Sequence, residues 1–185
     1  VGDSYKFFMQ VRNYSLEGIV LKRSNLGETD RLVTLVSQEQ GKFVCLAKGV
    51  RKLNSSKGSY LEPGNIIKAF LVNTKSLPLL IQARLIDDGA SAKTNLSQIR
   101  QMMQILEIYD KLLVEQEIEY QTYQLILDIR QALILKKTCT IRKNLNKLIL
   151  QLGYPATNFN KYFSVSDYIQ EIAERPMKSF DYLTP

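Results

Sequence analysis

The chain has 185 residues, 45% hydrophobic and 23% charged, which is enough for one or two packed domains and too apolar for a disordered segment. It contains no histidine and two cysteines, which excludes a histidine general base, Ser-His-Asp and Cys-His nucleophiles, and a four-ligand Cys/His zinc site within one chain. A formal charge of +7 favours an anionic partner.

Residues 1–13 are read as a leader or disordered stretch ahead of the folded part, with Met9 just before its start; an intact mass of the native protein tests this. The first eight residues lack the basic region and long apolar segment of a signal peptide. No apolar run reaches about 18 residues, so no membrane span is predicted. Cys45 and Cys139 lie far apart inside predicted elements, which fits a reducing compartment, and a cytoplasmic location is expected.

Residues 14–88 read as five strands at 15–23, 31–37, 42–49, 66–73 and 79–86, with a long connecting loop over 50–65. In the third strand Phe43, Cys45 and Ala47 share one face, and Val44, Leu46 and Lys48 the other. Both faces are largely apolar. Short strands with a long third connection match a five-stranded Greek-key barrel of OB type, and an SH3-like barrel has a similar pattern.

After Gly89 the period changes to that of helices. Ile99, Met102, Met103, Leu106, Tyr109 and Leu113 form one stripe, and Tyr123, Ile126, Leu127 and Ile134 a second. Ile141, Leu145, Leu148, Ile149 and Leu152 form a third, with Thr138 or Thr140 as its cap and Gly153 and Pro155 as its stop. A last helix starts near Ser164 or Ser166 and ends by Pro176. The predicted fold is therefore α+β: an N-terminal five-stranded OB-type β-barrel at 14–88 and a C-terminal α-helical bundle at 89–185.

Two stretches are free of acidic residues. From Gln40 to Leu61 the cations are Lys42, Lys48, Arg51, Lys52 and Lys57. Cations without neighbouring carboxylates keep their attraction for phosphates, so this stretch is a candidate nucleic-acid loop, with Phe43, Tyr60 and Phe70 as candidate stacking faces for bases. A solvated loop and ordinary core aromatics are the alternative. From Ile129 to Ser166 there are seven cations and no acid. Its cations are either a solvated face or a docking site for an acidic, apolar-ended peptide.

Catalysis finds little support. Glu28 and Asp30 sit beside Arg31 on a tight turn, where Asp30 is expected to order the turn and Arg31 to pair with it or face solvent. The glycines near Arg51 and Lys57 lack P-loop spacing. No enzyme activity, cofactor or metal is expected.

The motifs Glu17-Gly18-Ile19-Val20-Leu21, Gly27-Glu28-Thr29-Asp30-Arg31-Leu32-Val33-Thr34-Leu35, Gly41-Lys42 and Ala47-Lys48-Gly49-Val50-Arg51-Lys52 together resemble the N-terminal signature of the bacterial RecO family of DNA repair and recombination mediators. The likeness continues through Leu61-Glu62-Pro63, Leu150-Gln151-Leu152-Gly153-Tyr154 and Arg175-Pro176-Met177-Lys178-Ser179. Many members carry a cysteine-rich zinc-binding insertion after Leu-Gly-Tyr; this chain has Pro155-Ala156-Thr157-Asn158-Phe159-Asn160 there, as in a compact, zinc-free member.

The resemblance implies a non-catalytic protein that binds single- and double-stranded DNA and anneals complementary strands. With RecR it would help load RecA onto DNA coated by single-strand-binding protein. It also implies binding of the acidic C-terminal tail of single-strand-binding protein by the helical part. Carried onto this chain, the DNA surface is Lys22, Arg23, Arg31, Lys42, Lys48, Arg51, Lys52 and Lys57, and the tail surface is Arg130, Lys136, Lys137, Arg142 and Lys143. The alternative is an adaptor whose barrel docks a repair partner with little DNA binding of its own.

Overall fold

Strand β1 (Asn13–Leu26) is long enough to serve two neighbours. Its first half pairs antiparallel with β4 (Ile66–Val72) and its second half with β2 (Asp30–Ser37), the two ladders overlapping at Gly18 and Ile19. The register shifts between Val20 and Lys22, where Leu21 is the extra residue of a bulge that bends the strand from one neighbour to the other. In this computed structural model residues 12–52, 57–155, 164–179 and 181–183 are described, without the side chains of Lys57 and Ser91.

Strand β3 (Gly41–Ala47) pairs with β2 along its whole length. Strand β5 (Leu79–Asp87) pairs antiparallel with β4 and meets β3 in parallel at Leu46 and Leu79, closing a barrel of order β1-β2-β3-β5-β4. The two-residue period decides what fills it. Val33 and Leu35 of β2, Phe43, Cys45 and Ala47 of β3, and Ile67, Ala69 and Leu71 of β4 all point inward and are buried. Each large apolar side chain among them contributes roughly 1.5–3 kcal/mol by leaving water, so the interior drives closure.

The connection expected as a plain loop holds a one-turn helix, α1 (Lys57–Tyr60). Asn65, 2% exposed, donates its side-chain amide to the carbonyls of Ser59 and Tyr60 at the helix end. Backbone bonds from Gly64 to Val20 and from Val20 to Asn65 fix this connection to β1 at its bulge, and Leu61 seals the core.

The chain divides into two compact units, and the division is not a single cut. The barrel unit runs to Asp88 and also takes in Leu113–Ile118. This later segment is a strap: the Lys42 amide donates to the Val114 carbonyl at 2.9 Å, and the Ile118 amide to the Gln38 carbonyl at 2.7 Å. Gly41 makes the approach possible, since a Cβ there would lie 2.1 Å from the Gln116 carbonyl oxygen and the backbone φ is +64°. Leu113, expected on the first helical stripe, belongs to this strap.

The helical unit comprises a 3-10 turn (Ala90–Lys93), α2 (Leu96–Leu112), α3 (Tyr120–Ile134), α4 (Thr138–Gln151) and α5 (Val165–Ala173). On α2 the buried stripe is Met102, Ile105, Leu106, Tyr109 and Leu112, whereas Ile99 and Met103 are exposed, one turn position off the expected face. The Tyr109 hydroxyl donates to the Ile126 carbonyl, tying α2 to α3. Neither Thr138 nor Thr140 caps α4; Lys137 stands at its N-cap without a side-chain bond, whereas Ser164 does accept from the Asp167 amide at the start of α5.

Helices α3 and α4 end in the same paired-bond motif. Tyr154 and Gly153 donate to Ile149 and Leu150 after α4, and Lys137 and Lys136 donate to Ala132 and Leu133 after α3. The left-handed position is Gly153 in one and Lys136, with φ of +57°, in the other. The lysine bears a cost there that glycine does not.

A C-terminal segment is held along α2 by side chains reading its backbone. Glu107 accepts from the amides of Lys178 and Ser179, Gln104 from that of Tyr182, and Gln101 donates to the Tyr182 carbonyl. Leu183 is fully buried, and the Arg100 guanidinium lies 5.6 Å from the Tyr182 ring centre. Burial alone would raise the Glu107 carboxyl, but the Lys178 and Ser179 donors outweigh it and hold the pKa below its ordinary value.

Candidate nucleic-acid interface

The β1–β2 turn and the turn after β3 are laced together around one carboxylate. Asp30 Oδ1 accepts from the Gly49 amide at 2.8 Å and from the Thr29 hydroxyl at 2.9 Å. The Gly49 bond, then the Thr29 bond, lower the Asp30 pKa, and Lys48 and Lys52 add to the effect. From the other side the Arg51 amide donates to the Thr29 carbonyl at 3.0 Å and its guanidinium to the Gly27 carbonyl at 3.0 Å. Asp30 therefore orders the turn as its position implies, and reaches the turn after β3 as well.

Cations collect at this end of the barrel. Lys48, Arg51 and Lys52 are borne by the turn after β3. Arg31 stands opposite Ala47, and Arg23 opposite Val33; both partners are fully buried, so the two arginines stand on the inward side where the barrel ends. Arg31 does not pair with Asp30 among the described ion pairs. Its Nε is shut off from water and has no acceptor. Burial, then Arg23, lower the Arg31 pKa; Glu62 opposes this and Arg51 adds to it. Glu62 meets Arg23 at 2.5 Å.

Two of the expected DNA residues, Lys42 and Lys22, are separated from this cluster. Lys42 stands at the other end of β3, five residues or about 17 Å from Ala47. Lys22 lies on the opposite face of β1 from Arg23, because side chains alternate. The side chain of Lys57 lies outside the described residues.

Phe43 requires a correction: it is 4% exposed inside the barrel core, so a base cannot reach its ring. Tyr60 is half-buried and packs on the same core, and Phe70 is half-buried on β4 with its neighbours Ala69 and Leu71 facing inward. One cation escaped the sequence reading. Lys75, exposed, sits in the β4–β5 turn, and that turn is brought beside the end of β3 by the Leu46 amide donating to the Pro78 carbonyl at 2.8 Å. Only the non-local β3–β5 pairing reveals it.

The peptide surface is also revised. Arg130 is 7% exposed, and its guanidinium lies 2.8 Å from where a Cβ on Gly89 would be, so it serves the interior of the helical unit. Arg142 donates to the Leu183 carbonyl of the chain's own C-terminal segment. Lys136, Lys137 and Lys143 are exposed. Residues 156–163, where the zinc-binding insertion is expected to be missing, lie outside the described residues, as do residues 1–11 of the expected leader, whereas Asn13 already belongs to β1. Among the described residues no group of three or more Asp, Glu, Cys or His side chains is placed to hold a metal ion, and no helix is long and apolar enough to cross a membrane.

A closed barrel of this strand order, with its helix between the third and fourth strands, defines an OB-fold protein, a class whose loops between the first two and last two strands meet oligomeric ligands. Residues 9–88 match the family described as "Recombination protein O N terminal". The chain is 34% identical over 104 residues to the DNA repair protein RecO of Frankia casuarinae, covering 56% of this chain and 43% of that one. It is 33% identical over 122 residues to that of Bifidobacterium longum, covering 65% and 51%, and 29% identical over 125 residues to that of Roseiflexus sp., covering 68% and 44%. Over its barrel the chain is similar to the RecO DNA repair proteins. It spans about half the length of these curated relatives.

Proposed function

We propose that this chain is a non-catalytic DNA-binding mediator of recombinational repair, which holds single- and double-stranded DNA at the barrel end bearing Arg23, Arg31, Lys48, Arg51 and Lys52. The observation that carries the reading is the gathering of these five cations around two laced turns at the loop end of an OB barrel. Contacts of this kind neutralise phosphates and position a strand without reading its sequence. In this reading Lys57 adds to the surface and Tyr60 and Phe70 are its candidate stacking faces, whereas Lys22 and Lys42, which stand apart from the cluster, are not part of it.

In the same reading the protein anneals complementary strands and, with RecR, promotes loading of RecA on DNA coated by single-strand-binding protein. Lys136, Lys137, Arg142 and Lys143 take the acidic tail of that protein. Arg142 would have to exchange its bond to Leu183 for a contact with the tail. Fluorescence anisotropy with a labelled single strand and the matching duplex, across salt concentrations, tests the DNA part. A log-log slope of about −3 to −5 on single strands supports it, since each phosphate contributes about −0.7. Absence of binding at low salt refutes it.

One observation favours the adaptor reading. Strand β5 exposes three large apolar side chains, Ile81, Leu85 and Ile86, at 46%, 39% and 49%, residues of the kind that a protein partner covers. Pull-down of RecR by a barrel carrying Ile81→Ser and Ile86→Ser, compared with the unaltered protein, separates docking from DNA contact.

A further inference from the structure

Three guanidinium groups and one carboxylate converge where the barrel ends. Arg23 comes from β1, Arg31 from the start of β2, Arg51 from the turn after β3, and Glu62 from the connection that follows α1. The carboxylate does not serve them equally. It meets Arg23 at 2.5 Å, while Arg31 keeps a buried Nε with no acceptor. Arg51 is fixed in place by its bonds to Thr29 and Gly27. The arginines repel one another, since Arg23 and Arg51 both disfavour the charge on Arg31 and Glu62 alone relieves it. One carboxylate cannot satisfy three forks of five donors each.

We propose that Arg23, Arg31 and Arg51 form a seat for a single phosphodiester of a nucleic-acid strand, and that Glu62 occupies that seat in the free protein as a built-in competitor. The inference rests on the reading of this barrel end as a DNA surface and adds a residue that opposes binding. A phosphate offers more acceptor oxygens than the carboxylate and can meet two guanidiniums at once in the paired geometry that arginine favours. The Arg31 Nε then gains the acceptor it lacks. Glu62 is carried by a surface connection with its side chain 43% exposed, so it can turn into water when a strand arrives. The device lowers affinity for stray anions and leaves a polymeric ligand, held by several further cations, able to displace the carboxylate.

The test is anisotropy of a fluorescein-labelled 30-nucleotide oligothymidylate with the full chain at low salt, comparing wild type, Glu62→Gln, Glu28→Gln, Arg31→Ala, Arg23→Ala and the pair Arg23→Ala/Glu62→Gln. Glu28→Gln removes the same charge from the adjacent β1–β2 turn, where Glu28 forms no ion pair among the described residues. Glu62→Gln should bind about two- to fivefold tighter than Glu28→Gln, the range that one partly exposed ion pair covers. That gain should vanish when Arg23 is already alanine. If Arg31→Ala weakens binding but Glu62→Gln is no tighter than Glu28→Gln, or its gain persists without Arg23, the competitor is refuted while the DNA surface stands. If neither wild type nor any variant binds the strand, the DNA reading fails and the seat with it.

Discussion

Replacing Gly41 by alanine puts the strap to a direct test. The new Cβ would lie 2.1 Å from the Gln116 carbonyl oxygen and 2.4 Å from that of Val114. Ordinary contact begins near 3.4 Å, so the strap must retreat by about 1.3 Å. A retreat of that size breaks the bonds from Lys42 to Val114 and from Ile118 to Gln38, each worth about 1 kcal/mol. Holding alanine at a φ of +64° costs about 1 kcal/mol more. The total is about 3 kcal/mol. Gly27→Ala is the control, because its φ of +59° carries the same backbone cost while nothing lies within 4 Å of the new methyl group. Urea unfolding of both variants at constant m gives the difference, about 2 kcal/mol, and amide exchange at Lys42 and Ile118 locates it. If Gly41→Ala is no less stable than Gly27→Ala and both amides stay protected, the strap does not bear on Gly41 as described.

Three further outcomes follow from individual sites. Lys136→Gly relieves the left-handed backbone after α3 and should raise stability by about 1 kcal/mol in thermal or urea unfolding; a loss would show that the lysine side chain matters more than its φ. Burial pushes the Cys45 thiol up to about 12, whereas Cys139 is exposed, so a maleimide at pH 8 should add one label to the native chain and two after unfolding; two native labels would contradict the barrel interior. The Glu107 carboxyl is held below its ordinary value of 4.5 by the Lys178 and Ser179 amides. Its contribution is therefore fully present above that value and lost as pH falls through the lower folded one, so the protection of those two amides, measured against their intrinsic exchange rate at each pH, should fall on acidification. Protection that persists into strong acid would count against the contact.

Much of the barrel was legible because its period is short and local. Alternation along β3 marked Phe43, Cys45 and Ala47 as one face, and that face, joined by Val33 and Leu35 of β2, fills the interior. The same alternation should have removed Phe43 from the stacking candidates, since it shares a face with Cys45 and Ala47. What local pattern could not carry was anything set by distant pairing. The strap at 113–118 reads as the end of a helix, because Leu113 continues the stripe of Leu106 and Tyr109, and only contact with Gly41 marks it otherwise. Lys75 joins the cationic end through the single β3–β5 bridge, and Glu62 reaches Arg23 across 39 residues of chain. Arg130 belongs to a cation-rich stretch, yet its place on α3 turns it inward beside Gly89.

The central claim is that phosphate contact resides at the barrel end formed by the two laced turns, and the salt dependence of a double variant tests it most directly. Lys48→Ala/Lys52→Ala removes two cations of the turn after β3 and none of the bonds that lace it, since the Lys52 contact with Gly49 is made by its backbone. Binding of a labelled single strand should weaken, and its log-log salt slope should become shallower by about 1.4, the share of two phosphates on single strands. An unchanged slope with unchanged affinity would place the DNA elsewhere on the molecule and contradict the account.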